Sequence, residues 1–311
     1  MLDIFLQTLP FFALIGLGYG SGVTGFFPAQ ATAYLTRFVF YFALSAMLFK
    51  FSANLSLAEI WSWPLVLAYL SGSIAIYLIA TIVGFMRGLT TAEVAFEAQC
   101  AVIGNTGFLG IPMLVLLLGT AAIGPVMIAL AIDLIVFGSL VVILVTGSRD
   151  GRMSPAIFKS IGLGLIKNPM IVSTSIGLLY SASGLPIPAP VNSFVTILGA
   201  AATPGALFAI GASLATITAD RIAIPFWLTF AKLVLHPAAI AIATLMIFPV
   251  APYQAGVVIA AAALPVAGNV YIMAQHYNVA PGRVSASILI STAISIITVS
   301  MVIAWVTSLT G

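Results

Sequence analysis

Long apolar runs, separated by glycine, proline and charged residues, make up most of this chain. Each run is long enough for an α-helix to cross the roughly 30 Å hydrocarbon core of a lipid bilayer. Between the runs stand pairs such as Trp63-Pro64 and Pro281-Gly282, which are typical of helix ends and turns. We therefore predict ten membrane-spanning helices, near residues 4–22, 33–52, 64–86, 93–118, 122–146, 168–184, 191–217, 224–248, 253–277 and 284–308.

The composition supports the same class of protein. Of the 311 residues, 62% are hydrophobic and 5% are charged, whereas soluble domains have about 25% charged residues. So few charges do not cover a water-facing surface, and the predicted fold class is an all-α integral membrane protein in a lipid bilayer. The basic residues are spread along the chain, which argues against a nucleic-acid partner. The single cysteine, Cys100, excludes an internal disulfide and a cysteine-based metal cluster.

Lysine and arginine residues collect on one side of the predicted bundle. If the N-terminus lies outside, the outside loops and helix ends hold only Lys50. Because loops rich in basic residues stay in the cytoplasm, we expect both termini outside and the loop 147–167 inside, in a multi-pass protein of the plasma (inner) membrane. The residues on the inside are Arg37, Arg87, Arg149, Arg152, Lys159, Lys167, Arg221 and Arg283.

Short sequence matches between the two halves indicate an internal repeat. The stretch Ile15–Tyr19 resembles Ile176–Tyr180, and Gly104–Asn105 recurs as Gly268–Asn269, at offsets of 161 and 164 residues. Because five is an odd number, two halves of five helices have opposite topology, which is the inverted repeat of many alternating-access carriers. We predict one five-helix repeat over 1–146, a cytoplasmic linker over 147–167 and a second repeat over 168–311.

The fourth predicted helix is interrupted near its middle. Within eight residues it contains Asn105, Gly107, Gly110 and Pro112. The glycines weaken the helix, and the proline lacks the N–H that a helix interior needs. Backbone groups freed inside a membrane must bind protein, ions or water, and broken helices mark the sites of many secondary transporters. The alternative is a proline kink that only shapes packing.

The ninth predicted helix has a similar break, at Pro265, Gly268 and Asn269. If the repeat relates the fourth and ninth helices, the two breaks should cross at the membrane midplane. Two half-helix N-termini would then face one cavity, and their N–H groups and partial positive charge suit an anion. The amides of Asn105 and Asn269 can orient a carboxylate, although a single asparagine in a membrane also serves to hold helices together.

Of the ionisable residues inside predicted helices, four are candidates for function, because charge within a membrane is costly. Asp133 lies in the fifth helix, and Lys232 and His236 lie one turn apart in the eighth. We expect Asp133 to be the counter-ion of Lys232, either in a structural pair or in a pair that couples transport to proton movement; direct contact of Lys232 with substrate is a third alternative. His236 is either titratable or structural. Glu97 is expected to line the cytoplasmic path or to coordinate a cation.

The residues at both breaks resemble a known family. GNTGFLGIP, residues 104–112, resembles the crossover motif of the auxin efflux carrier family, and PVAGN, residues 265–269, is similar to its second crossover region, as are the later Ser291-Thr292 and Ser295. The resemblance covers essentially the whole chain. It implies the fold of bile-acid carriers and sodium/proton antiporters, in which helices 1–2 and 6–7 form a scaffold and helices 3–5 and 8–10 form a mobile transport domain.

The resemblance also implies a substrate class and a site. Bacterial members are associated with malate, malonate and related anions, and plant members export auxin. The long hydrophilic loop of many plant carriers is missing here. By resemblance, the substrate contacts are Asn105, Thr106, Gly107, Pro112, Pro265 and Asn269.

Together these patterns predict a secondary carrier of a small organic anion that works by an elevator-type mechanism. It needs no cofactor or resident metal, and coupling to H⁺ or Na⁺ is left open. A homodimer is a further expectation, because dimers are common on this fold. The alternatives are an anion channel on the same fold and an intramembrane enzyme; the latter is disfavoured because no known catalytic motif is found in the sequence.

Overall fold

The computed structural model describes residues 2–54, 61–150, 163, 166–167, 169–215 and 223–310 of the chain. Over these residues the protein is helical, with no strand and with one isolated bridge between two backbone segments. The predicted all-α class is therefore confirmed.

We divide the described residues into twelve helical segments, α1 to α12. They are α1 Leu2–Val23, α2 Ala29–Ser52, α3 Trp63–Met86, α4 Thr91–Val102, α5 Thr106–Leu118, α6 Thr120–Ser148, α7 Pro169–Ala182, α8 Ala189–Leu214, α9 Ala223–Ile247, α10 Pro252–Ala262, α11 Gly268–Tyr277 and α12 Pro281–Thr310.

The length and composition of these helices fit a membrane protein. Six of them, α2, α3, α6, α8, α9 and α12, are long and apolar enough to cross a bilayer. Four shorter apolar segments fall within the first, fourth, sixth and ninth predicted spans. They are Thr8–Val23, Thr106–Leu118, Pro169–Ala182 and Pro252–Ala262. The full set of ten spans and their inverted relation stay predictions.

Local sequence fixes the start of α4, on which Glu97 lies. The hydroxyl oxygen of Thr90 accepts a hydrogen bond from the N–H of Glu93, and the Glu93 carboxylate accepts one from the N–H of Thr90. This reciprocal capping box satisfies two N–H groups that a helix start leaves free. Glu97 follows one turn later and so lies on the same side of α4 as Glu93.

Within the described ranges, five turns of π-helix interrupt the α-helices. Such turns often occur at functional sites. One begins directly after Asn105, one begins with Asp133, and one contains Lys232. The five turns are Val39–Ala43, Thr106–Gly110, Asp133–Phe137, Ala231–Leu235 and Ala243–Ile247.

The chain divides into two compact units. The first consists of Met1–Leu9, Ser62–Ile157 and Ile217–Gly311; it contains α3 to α6 and α9 to α12, and we call it the crossover unit. The second consists of Pro10–Trp61 and Phe158–Thr216; it contains most of α1 together with α2, α7 and α8. The assignment of these segments to repeats, to a scaffold and to a mobile domain stays a prediction.

The predicted cytoplasmic linker 147–167 falls largely outside the described residues. The helix that precedes it continues to Asp150, and Arg152, Lys159 and Arg221 are not among the described residues. The orientation inferred from these basic residues therefore stays a prediction.

Glycines bring α1 and α8 of the second unit into close contact. A Cβ atom on Gly18 of α1 would lie 2.1 Å from the carbonyl oxygen of Phe208 in α8. A Cβ atom on Gly211 of α8 would lie 1.9 Å from the carbonyl oxygen of Ile15. Both distances are far below van der Waals contact, so only glycine fits at either position. Small residues allow the same close approach between other membrane helices.

We predict that Gly18→Ala lowers the stability of the folded protein. The added methyl group must push two backbones apart, and overpacking of this kind costs about 1–3 kcal/mol. Gly20→Ala is the matched control, because a Cβ atom at that position of α1 meets nothing within 4 Å. Thermal unfolding of the purified proteins in detergent measures the difference. Equal midpoints for the two variants would contradict the close packing of α1 on α8.

Candidate functional site

The fourth predicted helix is broken over three residues, Ile103 to Asn105. The helix α4 ends at Val102, and the π turn Thr106–Gly110 begins the second half. The carbonyl oxygen of Asn105 accepts hydrogen bonds from the N–H groups of Leu109 and Gly110 at 3.1 and 2.9 Å, so the wide turn starts there. Pro112 follows just after the π turn within α5, where it has no N–H to donate to the preceding turn.

The ninth predicted helix is broken between Ala262, the last residue of α10, and Gly268, the first of α11. Pro265 lies in the linking segment. Its carbonyl oxygen accepts a hydrogen bond from the N–H of Asn105 at 2.8 Å. The two predicted breaks therefore lie against each other inside the crossover unit.

A short antiparallel bridge joins the two breaks, with Gly104 opposite Val266. Besides the bond to Pro265, the N–H of Ala267 donates to the carbonyl oxygen of Ile103 at 3.1 Å. The N–H of Val266 donates to the hydroxyl oxygen of Ser291 on α12 at 3.1 Å. Three N–H groups and two carbonyl groups at the breaks are thus satisfied by the other break and by α12, as an apolar surrounding favours.

Most of the predicted substrate residues lie beside this bridge. Asn105 is 5% exposed and ends the first linking segment, and Thr106 and Gly107 open the helix that follows it. Pro265 is part of the second linking segment, and Asn269 is the second residue of α11. The helices α5 and α11 both begin at the bridge, so their first N–H groups, which have no partner within the helix, lie near the two amides.

Two of the predicted contacts, Asn269 and Pro112, differ from the others. The Oδ1 atom of Asn269 is buried and has no hydrogen-bond partner among the described residues. It can therefore accept a hydrogen bond from a ligand. Pro112 lies further along α5, one π turn beyond the bridge. It shapes the helix and is not part of the bridge itself.

Lys232 reaches the crossover from α9. Its Nζ atom donates to the carbonyl oxygen of Ala262 at 2.5 Å. A Cβ atom on Gly104 would lie 3.3 Å from the same Nζ atom, so the ammonium group lies against both breaks. Because the C-terminus of a helix carries partial negative charge, a lysine at the end of α10 stabilises it.

Asp133 and Lys232 form no direct ion pair within 4.0 Å. The Oδ1 atom of Asp133 accepts a hydrogen bond from the hydroxyl group of Tyr69 on α3 at 3.2 Å, and its Oδ2 atom has no partner among the described residues. Within a 4.0 Å limit, the ion pairs of the described residues all involve other carboxylates. The geometry therefore joins Asp133 to α3 rather than directly to Lys232; whether the two residues act together stays a prediction.

His236 connects Lys232 to α3. Its Nδ1 atom is 3.2 Å from the Nζ atom of Lys232, and its Nε2 atom is 2.9 Å from the hydroxyl oxygen of Ser73. Its ring also packs edge-on against Tyr69, with ring centres 6.0 Å apart. An ammonium group has no acceptor, so next to a charged Lys232 the Nδ1 atom must accept and the Nε2–H must donate to Ser73.

Glu97 is held by two arginines. Its side chain is 2% exposed, and its carboxylate accepts two hydrogen bonds from Arg87 at 2.7 and 3.1 Å and one from Arg283 at 2.6 Å. Arg283 also lies 3.5 Å from Glu93. Glu97, which we expected to line the cytoplasmic path or to coordinate a cation, thus connects α4 to the end of α3 and to the start of α12. Among the described residues, no group of three or more histidine, cysteine, aspartate or glutamate side chains is placed so that it could hold a metal ion.

Sequence reasoning found the breaks and missed the partners of the buried polar groups. Tyr69 and Ser73 stand four residues apart on an apolar helix, and that spacing is a signal that could have indicated a polar face. The pairing of Glu97 with Arg283 joins residues 186 positions apart, and no local pattern indicates it.

Comparisons with known proteins agree with the geometry. The chain matches the family described as "Membrane transport protein" over residues 3–303. It is 30% identical over 306 residues to a protein of Rhizobium meliloti (strain 1021) named "Putative malonate transporter", and the match covers 96% of this chain and 95% of that protein. Both matches include both helix breaks. Both names describe a transporter rather than an enzyme.

We predict that Glu97→Gln destabilises the crossover unit by on the order of 2 kcal/mol, because a buried carboxylate that binds two arginines is lost. Thermal unfolding in detergent measures the change. The control is Glu93→Gln, since Glu93 is about a third exposed and glutamine also completes a capping box. A midpoint for Glu97→Gln no lower than that of the control would show that the ion pairs add nothing to stability.

Proposed function

Because this chain belongs to the membrane transport protein family, which is the auxin efflux carrier family that its crossover motif resembles, we propose that it is a secondary carrier of a small organic anion. The observation that carries the proposal is the meeting of two helix breaks at the bridge between Gly104 and Val266. A helix begins directly after each break, with Asn105 before one helix start and Asn269 within the other.

This arrangement suits a carboxylate. The first N–H groups of α5 and α11 carry partial positive charge, and the two amides can donate hydrogen bonds to a carboxylate and fix its direction. Lys232 lies on the carbonyl end of α10, so it stabilises the broken helix without being required to touch the anion. Asn105, Thr106, Gly107, Pro265 and Asn269 are the proposed contacts. Pro112 supports the site through the shape of α5.

Malonate is the first substrate to test, because the relative is named a putative malonate transporter. Malate, other small dicarboxylates and auxin-like acids belong to the same proposal. The proposal also includes an elevator-type mechanism in which the crossover unit is the moving body. It further includes a homodimer, a plasma-membrane location and both termini outside.

We propose the proton as the coupling ion. Asp133 is buried, and its second carboxylate oxygen has no partner among the residues described, so a proton can bind there without breaking an ion pair. A sodium ion would need several converging oxygen atoms, whereas among the described residues the hydrogen-bond partner of the Asp133 carboxylate is the hydroxyl group of Tyr69.

We predict that Asn105→Ala abolishes malonate transport while the carrier stays folded, because the anion loses an amide at the bridge. The experiment is counterflow of radiolabelled malonate in liposomes with purified protein. Counterflow also separates a carrier from a channel, because an open pore shows no exchange acceleration. Asn192→Ala, at an exposed position near the start of α8, is the control and should exchange normally. Full counterflow in Asn105→Ala would refute the site.

We predict that Asp133→Asn uncouples transport from the pH gradient. An amide cannot take up and release a proton, so an acidic exterior should accelerate malonate uptake in the natural protein and have no effect in the variant. Initial uptake rates with and without the gradient measure this. Glu93→Gln, which neutralises an acidic group at a helix start, should keep its response. An unchanged response in Asp133→Asn would leave Asp133 with a structural role only.

A further inference from the structure

A row of hydroxyl side chains runs along α3. Tyr69, Ser73, Tyr77 and Thr81 stand four residues apart, and we call these four residues the hydroxyl row. Tyr69 donates to Asp133, and Ser73 is hydrogen-bonded to His236. The row continues toward the end of α3 that Arg87 caps, where the Arg87 side chain is 28% exposed.

Two successive members of the row have no partner in the described protein. The hydroxyl oxygens of Tyr77 and Thr81 are buried and make no hydrogen bond within the described residues. Most buried hydroxyl groups have a partner, and each exception calls for an explanation. The ring of Tyr77 packs against Phe137 with centres 5.6 Å apart, and a phenylalanine would fill that space equally well. Packing therefore explains the ring of Tyr77 and leaves its hydroxyl group unexplained.

We propose that the hydroxyl row, joined to Lys232 by His236, is the path by which protons enter and leave the crossover unit. The proposal rests on the proposed function, in that it assigns a route to the coupling proton, and Asp133 adjoins this route through its hydrogen bond from Tyr69 of the row. Successive members rise by about 6 Å along the helix axis, and ordered water molecules bridge polar groups that do not touch directly. The unpartnered hydroxyl groups are the donors and acceptors that such bridges need.

His236 supplies the step between Lys232 and the row. The proton on the Nζ atom of Lys232 moves to Nδ1, while the proton on Nε2 moves to the hydroxyl oxygen of Ser73. The proton that Ser73 carried before then passes to a water molecule on the Tyr77 side. An N–H bond breaks at Lys232 and another forms at Nδ1, and the Nε2–H bond breaks as a new O–H bond forms at Ser73. The original O–H bond of Ser73 breaks as one forms on the water molecule, so the cluster loses one proton and Lys232 becomes neutral.

A neutral lysine amine can accept a hydrogen bond. This step therefore reverses the direction of the two hydrogen bonds that the His236 ring makes with Lys232 and Ser73. Nδ1–H then donates to Lys232, and Nε2 accepts from Ser73. The titratable groups that face the pair from other helices are Tyr69 and Tyr77 on α3 and Asp133 on α6. On α4, Cys100 and Glu97 lie toward Arg283, and α10 and α12 place no other charged side chain there among the described residues.

The tautomer of His236 tests this step without any substrate. The chain has two histidines, so His276→Gln leaves His236 alone for ¹⁵N NMR of the labelled protein in lipid. Raising the pH should move the ring proton from Nε2 to Nδ1, and Lys232→Met should abolish that change. One tautomer throughout the pH series, or the same change in Lys232→Met, would overturn the proposal.

Tyr77→Phe tests the row, because it removes only a hydroxyl group that bonds to nothing in the described protein. In liposomes that contain a pH-sensitive dye, the number of protons moved for each malonate taken up should fall at least about tenfold. Malonate exchange should continue, because exchange of the loaded carrier requires no proton release. Tyr19→Phe, at an exposed tyrosine, is the control and should change neither.

The outcomes separate the two proposals. Normal proton movement in Tyr77→Phe would overturn the hydroxyl row. Net malonate uptake without proton movement in the natural protein would overturn it as well and leave the carrier function standing. If the natural protein exchanges none of the acids, the carrier proposal fails, and the His236 tautomer alone then decides whether the relay exists.

Discussion

Inside a bilayer every backbone N–H and C=O group must find its partner within the protein, and the rest of the crossover unit depends on how this is achieved. Each of the two breaks leaves backbone groups free that a continuous helix would have paired. The N–H of Asn105 and the carbonyl of Pro265 satisfy each other, as do the N–H of Ala267 and the carbonyl of Ile103. Each break thus supplies hydrogen-bond partners to the other, and the bridge fixes where the two half-helix starts meet.

The buried charges follow from the same requirement. The last carbonyl groups of α10 form a negative end in an apolar surrounding, and Lys232 binds one of them, at Ala262. Gly104 lies close to the lysine, because a Cβ atom at this position would be 3.3 Å from the Nζ atom. With the lysine engaged there, Asp133 has Tyr69 as its hydrogen-bond partner. The two groups are thus held by different parts of the protein, and each can change its protonation state without breaking a direct ion pair.

The sequence contained enough to predict the breaks and not enough to predict the network around them. Proline, glycine and asparagine mark a helix break locally, and the repeated Gly-Asn pair related the break at Asn105 to the one at Asn269. The partners of Glu97, by contrast, come from distant parts of the chain. The π turns that carry Asp133 and Lys232 shift the helix register by one residue. A hydropathy profile does not reveal such a shift. The positions of Asp133 and Lys232 in the sequence therefore could not show whether the two side chains are in contact.

The proposed anion site and the proposed proton path share one piece of backbone. Asn105 adjoins Gly104, which lies against Lys232, while the same lysine is bonded to α10 just before the second break. Any movement of the bridge that improves contacts with an anion must therefore change the surroundings of Lys232. By thermodynamic reciprocity, the protonation state of Lys232 must change anion affinity by the same factor. Coupling of this kind needs no contact between the lysine and the anion. It needs only that the bridge has two arrangements and that both the anion and the proton favour one of them.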